Sequence, residues 1–379
     1  MNCSVTTEPS TCAVMPIPAE ANVDQSISSR EVLIFDQTEP ECVTIIPTYR
    51  CNAACTECCF ESNPSIRHRM NRADLLSIIG KVATEFPRVR YVVLTGGEIT
   101  LLREDLIDAI QLLTSLGLGS RIVTNGHWGR SDASAIGWVT KLRAAGLNEL
   151  NLSTGDEHQE WVPFESVARA AYYALTNDIT TVIVIEGQDH ARFTLASVND
   201  NEHIRKIYDD EGLRKKFILM SNIWMPFHAG AECTSDRADV TRDGCNNIFD
   251  NFVINPYGRL MSCCGLTMEH IPELKVGDVY RDSLSATYRQ QYNDVLKLWI
   301  WLDGTRQIFE TLAEHHHDLK LLSPHPCSIC AQVYKTPHIR ETLIELLRAN
   351  EESIVFRAAI KAKISGRAAR IEQTLSEAE

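Results

Sequence analysis

Short apolar runs alternate with stretches whose apolar positions recur at helical spacing through the first two-thirds of the chain. Residues 42–48 (CVTIIPT) and 90–95 (RYVVLT) read as buried strands. Residues 120–124 (SRIVT), 149–153 (ELNLS), 179–186 (ITTVIVIE) and 216–220 (KFILM) continue the series. Between them, 101–117, 131–145 and 163–175 carry the amphipathic period of helices. Strands alternating with helices in this way imply parallel pairing through βαβ units. Six such strands with helices outside make a partial (β/α)6, TIM-like barrel of the α/β class, whose sites lie at the C-terminal strand ends. Near the other end of the chain, Ile339, Leu343, Leu346 and Leu347 recur at helical spacing, and Ile354, Ile360 and Ile364 continue it. The basic residues there (Arg357, Lys361, Lys363, Arg367 and Arg370) make the solvated face of a packing helix, or a contact for a peptide or partner.

Composition narrows the class. The chain has 379 residues, 44% apolar and 23% charged, ordinary for a soluble globular protein. A net charge of −13 disfavours nucleic acid as a partner. No run approaches a membrane span of about 20 apolar residues, and the opening MNCSVTTEPSTC lacks the features of a signal peptide, which leads to a cytoplasmic expectation. Thirteen cysteines in a reducing compartment then point to metal, catalysis or burial rather than disulfides.

Cys51, Cys55 and Cys58 form C-x3-C-x2-C in the loop after the first strand, a pattern expected by chance about 0.015 times at this composition. Three thiolates with no fourth nearby would leave one iron of a [4Fe–4S] cluster open for a ligand, although the spacing alone also admits zinc. The second strand ends at Gly96, Gly97 and Glu98. With both motifs at this separation, the chain resembles the radical SAM superfamily. The resemblance implies that S-adenosyl-L-methionine (SAM) chelates the open iron, and that the glycines and Glu98 contact its methionyl amine. It further implies that an electron from a reduced flavodoxin- or ferredoxin-type donor cleaves SAM to a 5′-deoxyadenosyl radical, which abstracts hydrogen from substrate. Asn125 and Ser153 end the third and fourth strands. By position in the fold, Ser153 and Arg169 would contact the ribose and carboxylate of SAM. The run Asp156, Glu157, His158, Gln159, Glu160 is a polar SAM contact, a substrate-facing base or a solvated helix start. The family usually has an aromatic residue before the third cysteine. Glu57 stands there in this chain, so the adenine contact made at that place is in question.

A second set, Cys245-x12-Gly258-x4-Cys263 followed by Cys327-x2-Cys330, resembles the twitch domain, a shorter relative of the SPASM extension. The resemblance implies that 252–264 (FVINPYGRLMSCC) forms its hairpin, with Gly258 at the turn, and that the four cysteines hold a second, auxiliary [4Fe–4S] cluster. A zinc ribbon made from the same cysteines is the alternative, and Cys264 competes with Cys263 as a ligand. The expected organisation is an N-terminal arm (1–40), the barrel (41–227), the twitch-like domain (228–335) and a C-terminal helical segment (336–379). The arm is too short for a separate peptide-recognition domain. His315, His316 and His317 splay by about 100° each on a helix and read as a solvated patch.

The leading functional expectation is modification of a ribosomally made peptide in natural-product biosynthesis, by crosslinking, dehydrogenation or epimerisation. An auxiliary cluster that accepts an electron would give net oxidation. A thiol that returns a hydrogen atom, from Cys59, Cys233 or Cys264, would give epimerisation. Oxidation or epimerisation of a sugar, cyclitol or other small molecule, radical methyl transfer, and a non-catalytic zinc or iron–sulfur protein are the alternatives.

Overall fold

The computed structural model describes residues 38–187, 191–223 and 244–365. Six strands run parallel in chain order: β1 (Cys42–Ile45), β2 (Tyr91–Leu94), β3 (Gly119–Thr124), β4 (Glu149–Thr154), β5 (Thr180–Glu186) and β6 (Phe217–Asn222). The crossovers carry α1 (Arg72–Glu85), α2 (Glu104–Ser115), α3 (Asp132–Ala145), α4 (Phe164–Thr176) and α5 (Glu202–Asp209). This is the partial (β/α)6 arrangement that the periodicity implies. α1 is an element the sequence reading left out. Asn71 caps it by accepting from the Asp74 amide, and Leu75, Ile78, Ile79 and Val82 give its buried face.

In-register neighbours on parallel strands share a face, so Val123, Asn151 and Val182 form one row across the sheet, and Ser153, Val184 and Met220 another. The alternate residues Ile122, Leu150, Leu152, Ile183 and Ile185 are buried in the core on the helix-covered face. The first face therefore lines the inside of the barrel. Toward β6 it is apolar and open: Ile218 and Met220 keep 50% and 45% of their surface.

The sheet continues past β1. β7 (Asn251–Ile254) lies parallel to β1, and β8 (Arg259–Met261) and β9 (Lys275–Asp278) follow antiparallel, giving nine strands. The hairpin expected at 252–264 is present, with Gly258 at φ 77°. It extends the barrel sheet, because β1 is buried along its whole length and an open edge there would leave its backbone unpaired. The run Phe252, Val253 and Ile254 supplies the missing partner.

Beyond the hairpin come α6 (Leu284–Gln290), α7 (Val295–His315), α8 (Pro326–Lys335) and α9 (Arg340–Ile364). α7 kinks at Gly304, where φ is 75°. α9 packs on α7: Arg357 pairs with Asp303, and Lys361 donates to the Trp301 carbonyl at 2.5 Å while sitting 4.7 Å over its ring. These two basic residues therefore serve packing. Arg367 and Arg370 lie outside the described residues, as do Cys3, Cys12 and Cys233. No helix among the described residues is long and apolar enough to cross a membrane.

Candidate active site

Cys51, Cys55 and Cys58 follow β1 in a loop held by backbone bonds from Cys51 N to Asn63 O (3.3 Å) and from Cys58 N to Cys55 O (3.2 Å). Together with Gly96, Gly97, Asn125 and Ser153 they rim one cavity of about 150 Å³ at the C-terminal ends of β1 to β4. Burial, reinforced by Glu98, pushes the Cys51 thiol up to about 12. Burial followed by the charges of Cys58 and Cys51 raises Cys55 as well. The Cys51 and Cys58 sulfurs thus lie close to that of Cys55, and bound cations would reverse the shifts of Cys51 and Cys55 by stabilising their thiolates. The Ala53 amide already points at the Cys51 sulfur, 3.4 Å away.

The glycines have a reason in the chain itself. A Cβ on Gly96 would stand 2.2 Å from the Thr48 carbonyl oxygen, and one on Gly97 2.2 Å from that of Arg50. Gly97 N and Glu98 N donate to those carbonyls at 2.9 Å each, so the GGE segment zips onto the three residues before Cys51. The glycines thereby fix the cysteine loop against the end of β2. Glu98 is completely buried. Its Oε1 accepts from Thr100 N (3.0 Å), Thr100 Oγ1 (2.5 Å) and Thr124 Oγ1 (2.7 Å), and its Oε2 from Asn125 N (2.8 Å). The carboxylate thus ties β2 to the end of β3 and places Asn125. Asn125 in turn donates Nδ2 to Asn52 Oδ1 at 2.9 Å, 3.8 Å from the Cys51 sulfur.

Arg169 is elsewhere. It sits on α4, with its guanidinium bound to Gly129 O at 2.8 Å and paired with Asp132 and Glu165. Assignment by fold position placed it at the SAM carboxylate. The helix turns it instead toward the carboxylates of the outer layer, and it does not line the cavity.

The acidic run after β4 divides. Asp156 accepts the amides of Arg192 and Phe193, and Glu157 holds Thr56 of the cysteine loop. His158 lines the cavity, buried, 3.9 Å from Glu186 at the end of β5. Burial raises the Glu186 pKa, against the lowering effect of contacts with Glu57 and the Glu157 backbone. Glu186 was not singled out from the sequence, where its signal was a lone carboxylate ending an apolar run. Burial lowers His158 from 6.5 to about 4, so the ring is neutral at pH 7 and its contact with Glu186 is not an ion pair. A lowered histidine contributes stability above its unfolded value and loses it as pH falls through the folded one. From pH 6.5 to 4, His158 is expected to cost the fold about 3 kcal/mol, a loss that Glu186 partly opposes by taking up a proton. Urea titrations at pH 7 and pH 4.5 should show His158→Gln with a flatter pH dependence than the parent.

The second cysteine set also converges. Two of its sulfurs lie beside Gly265: a Cβ there would be 3.3 Å from Cys327 Sγ and 3.5 Å from Cys263 Sγ. Cys327 and Cys330 stand one turn apart at the start of α8, so they share a face. His325 accepts the Cys327 amide at 3.1 Å. Burial raises all four thiols, Cys327 to about 12. Cys245, whose amide is bonded to Ile300 O at 2.9 Å, is near enough for its charge to add to the rise at Cys263, Cys327 and Cys330. The Cys264 thiol is instead directed at Thr44 on the inner face of β1. Cys59 lines the first cavity, and its carbonyl lies 3.3 Å from His270 Nε2, so the two cysteine regions abut. In a tetrahedral zinc site with bonds of about 2.3 Å, thiolates stand about 3.8 Å apart. Among the described residues no three cysteine sulfurs lie within 4.8 Å of one another. Both sets are spread more widely than a zinc tetrahedron.

Comparison with known proteins identifies a domain. Residues 45–185 match the radical SAM superfamily, from β1 to the end of β5. This stretch is a radical SAM domain. A radical SAM domain takes a [4Fe–4S] cluster and SAM, and a cavity rimmed by three thiols suits that pair. A protein named for peptide biosynthesis, YydG of Bacillus subtilis (strain 168), is 26% identical over 121 residues. That stretch is 31% of this chain and 37% of YydG, so the similarity spans about a third of the relative's length. Among solved structures, anSMEcpe with bound AdoMet is 14% identical, with a TM-score of 0.48 over 80% of this chain and 99% of that one. BtrN in complex with AdoMet and 2-DOIA is 12% identical, with a TM-score of 0.39 over 68% and 87%.

Proposed function

We propose that this radical SAM enzyme modifies a ribosomally made peptide, with Cys51, Cys55 and Cys58 holding the cluster that binds SAM. The observation that carries the assignment is the single cavity that gathers these thiols, the GGE glycines, Asn125 and Ser153. When bound, cluster and SAM supply the 5′-deoxyadenosyl radical that abstracts hydrogen from substrate. The chain's own residues do the rest. Asn125 and Ser153 offer polar contacts to SAM at the strand ends. Glu98 acts through Asn125 as a positioning residue. The inner face of β5 and β6, with Val182, Val184, Ile218 and Met220, gives an apolar wall on which a peptide side chain can rest without water.

The similarity to YydG supports a peptide substrate. Cys245, Cys263, Cys327 and Cys330 fit a second cluster in number, and four thiolates would close its coordination and suit it to electron transfer. On that reading the product is oxidised, by crosslinking or dehydrogenation. The Cys59 thiol at the cavity wall is the residue placed to return a hydrogen atom, the route to epimerisation. A reduced flavodoxin or ferredoxin would supply the electron.

The reading is tested by incubating reconstituted enzyme, SAM and dithionite with short peptides encoded beside its reading frame, each fully deuterated. Deuterium in 5′-deoxyadenosine and a mass change in the peptide are expected. Deuterium drawn from cyclitols or sugars, and from no peptide, would replace the peptide with a small-molecule substrate.

A further inference from the structure

We propose that His316, Asp318 and His338 form a site for a divalent transition metal of the zinc type, separate from both cysteine sets. Among the described residues, this is the one group in which three side-chain donor atoms of histidine, cysteine, aspartate or glutamate all lie within 4.8 Å of one another. The adjacent histidines do not converge, as helical geometry requires. The site uses one of them. His316 leaves the helix at the end of α7, with φ −126° and ψ 82°, while His315 stays on it with Nδ1 against Thr311 O at 3.0 Å. A turn closed by Leu319 N to His316 O (2.9 Å) brings Asp318 to the same side. His338 arrives from the short turn Pro337–Ile339 just before α9.

The arrangement has three features of a ligand set. His338 Nε2 stands 3.8 Å from Asp318 Oδ2, and the rings of His316 and His338 meet edge to face with centroids 5.6 Å apart. Ligands about 2.1 Å from a tetrahedral ion stand about 3.4 Å apart, so small side-chain rotations close the site. His316 Nε2 is 2.8 Å from the Thr342 hydroxyl. With Nε2–H donated to Thr342, the lone pair of Nδ1 is the one presented to an ion, which is how a second partner fixes the tautomer of a metal-bound histidine. Two imidazoles and one carboxylate select zinc, cobalt or nickel over magnesium or calcium and leave a position for water. Asp318 and His338 are exposed, so an ion reaches them without unfolding.

The ion would join the end of α7 to the start of α9. It would thereby close the chain between Asp318 and His338, the segment that carries Cys327 and Cys330 on α8. A staple there holds the base of the second cysteine set.

The test uses the full chain, anaerobically loaded with iron and sulfide so that its cysteines are occupied. Zn2+ is titrated calorimetrically and Co2+ by visible absorption. One ion per chain is expected in addition to the iron, with imidazole and carboxylate bands and no thiolate charge-transfer band for Co2+. Asp318→Asn and His338→Ala should each weaken binding at least tenfold, and Thr342→Val about tenfold, all with unchanged iron. Zinc should raise the thermal midpoint of the parent and leave that of the double variant Asp318→Asn/His338→Ala unmoved. Absence of Zn2+ binding by the parent, or equal binding by parent and double variant, overturns the proposal and leaves an adventitious ion only. Iron loading reads the cysteine assignment independently, so failure of one is distinguishable from failure of the other.

Discussion

Glu98→Ala, just behind the cavity wall, is expected to lose both stability and SAM binding. Its carboxylate accepts four hydrogen bonds in a fully buried setting, from Thr100 N, Thr100 Oγ1, Thr124 Oγ1 and Asn125 N. Truncation strands those donors, and a buried donor left unpaired costs about 1–3 kcal/mol. Hydroxyls can turn away, so the two amides dominate and the total comes to about 3–5 kcal/mol. Asn125 would lose the anchor that holds it to Asn52 and Cys51. Glu98→Gln separates the two effects. Its amide NH2 must face one of the donors, Asn125 N–H being the single donor on its side, so the fold survives while Asn125 shifts. SAM binding is expected to weaken about tenfold or more, the order of one charge-assisted hydrogen bond. Urea midpoints and equilibrium dialysis with SAM check both. Parent-like stability and affinity in both variants would mean that the GGE carboxylate does not organise the site.

Replacing Cys327 and Cys330 together with alanine is expected to split the enzyme's activities. The two lie on one face at the start of α8, with Cys327 Sγ and Cys263 Sγ both beside Gly265. Their loss should lower iron from about eight to about four per chain, since each [4Fe–4S] cluster carries four. Cleavage of SAM should continue, because Cys51, Cys55 and Cys58 sit in their own cavity. Oxidised peptide should fall below detection, with 5′-deoxyadenosine formed without product. Eight iron in the double variant, or full product, would remove the second cluster from the account.

The strands were legible because parallel strands buried between layers are apolar throughout, as 42–48 and 179–186 show. The cysteine and GGE motifs were legible because their spacing is local. What the sequence did not disclose depends on distant pairing. The glycines were expected at the methionyl amine of SAM; that they also seat on the carbonyls of Thr48 and Arg50, nearly fifty residues earlier, was not legible. The pairing of β7 with β1, which turns the separate hairpin into an extension of the barrel, joins segments two hundred residues apart. Arg169 was placed by position in the fold. Which way its side chain turns depended on Asp132 and Glu165, partners that a strand-by-strand reading does not weigh. α1 was legible and overlooked: Asn71, then Leu75, Ile78, Ile79 and Val82, is a capped amphipathic helix. Cys233 lies outside the described residues, and its role as a thiol donor rests on sequence alone.

The most direct test compares the reconstituted parent with Cys51→Ala/Cys55→Ala/Cys58→Ala, measuring iron, sulfide and 5′-deoxyadenosine after addition of SAM and dithionite. The account predicts about eight iron in the parent and about four in the variant, with 5′-deoxyadenosine from the parent alone. Zinc in place of iron, or 5′-deoxyadenosine from the variant, would contradict it.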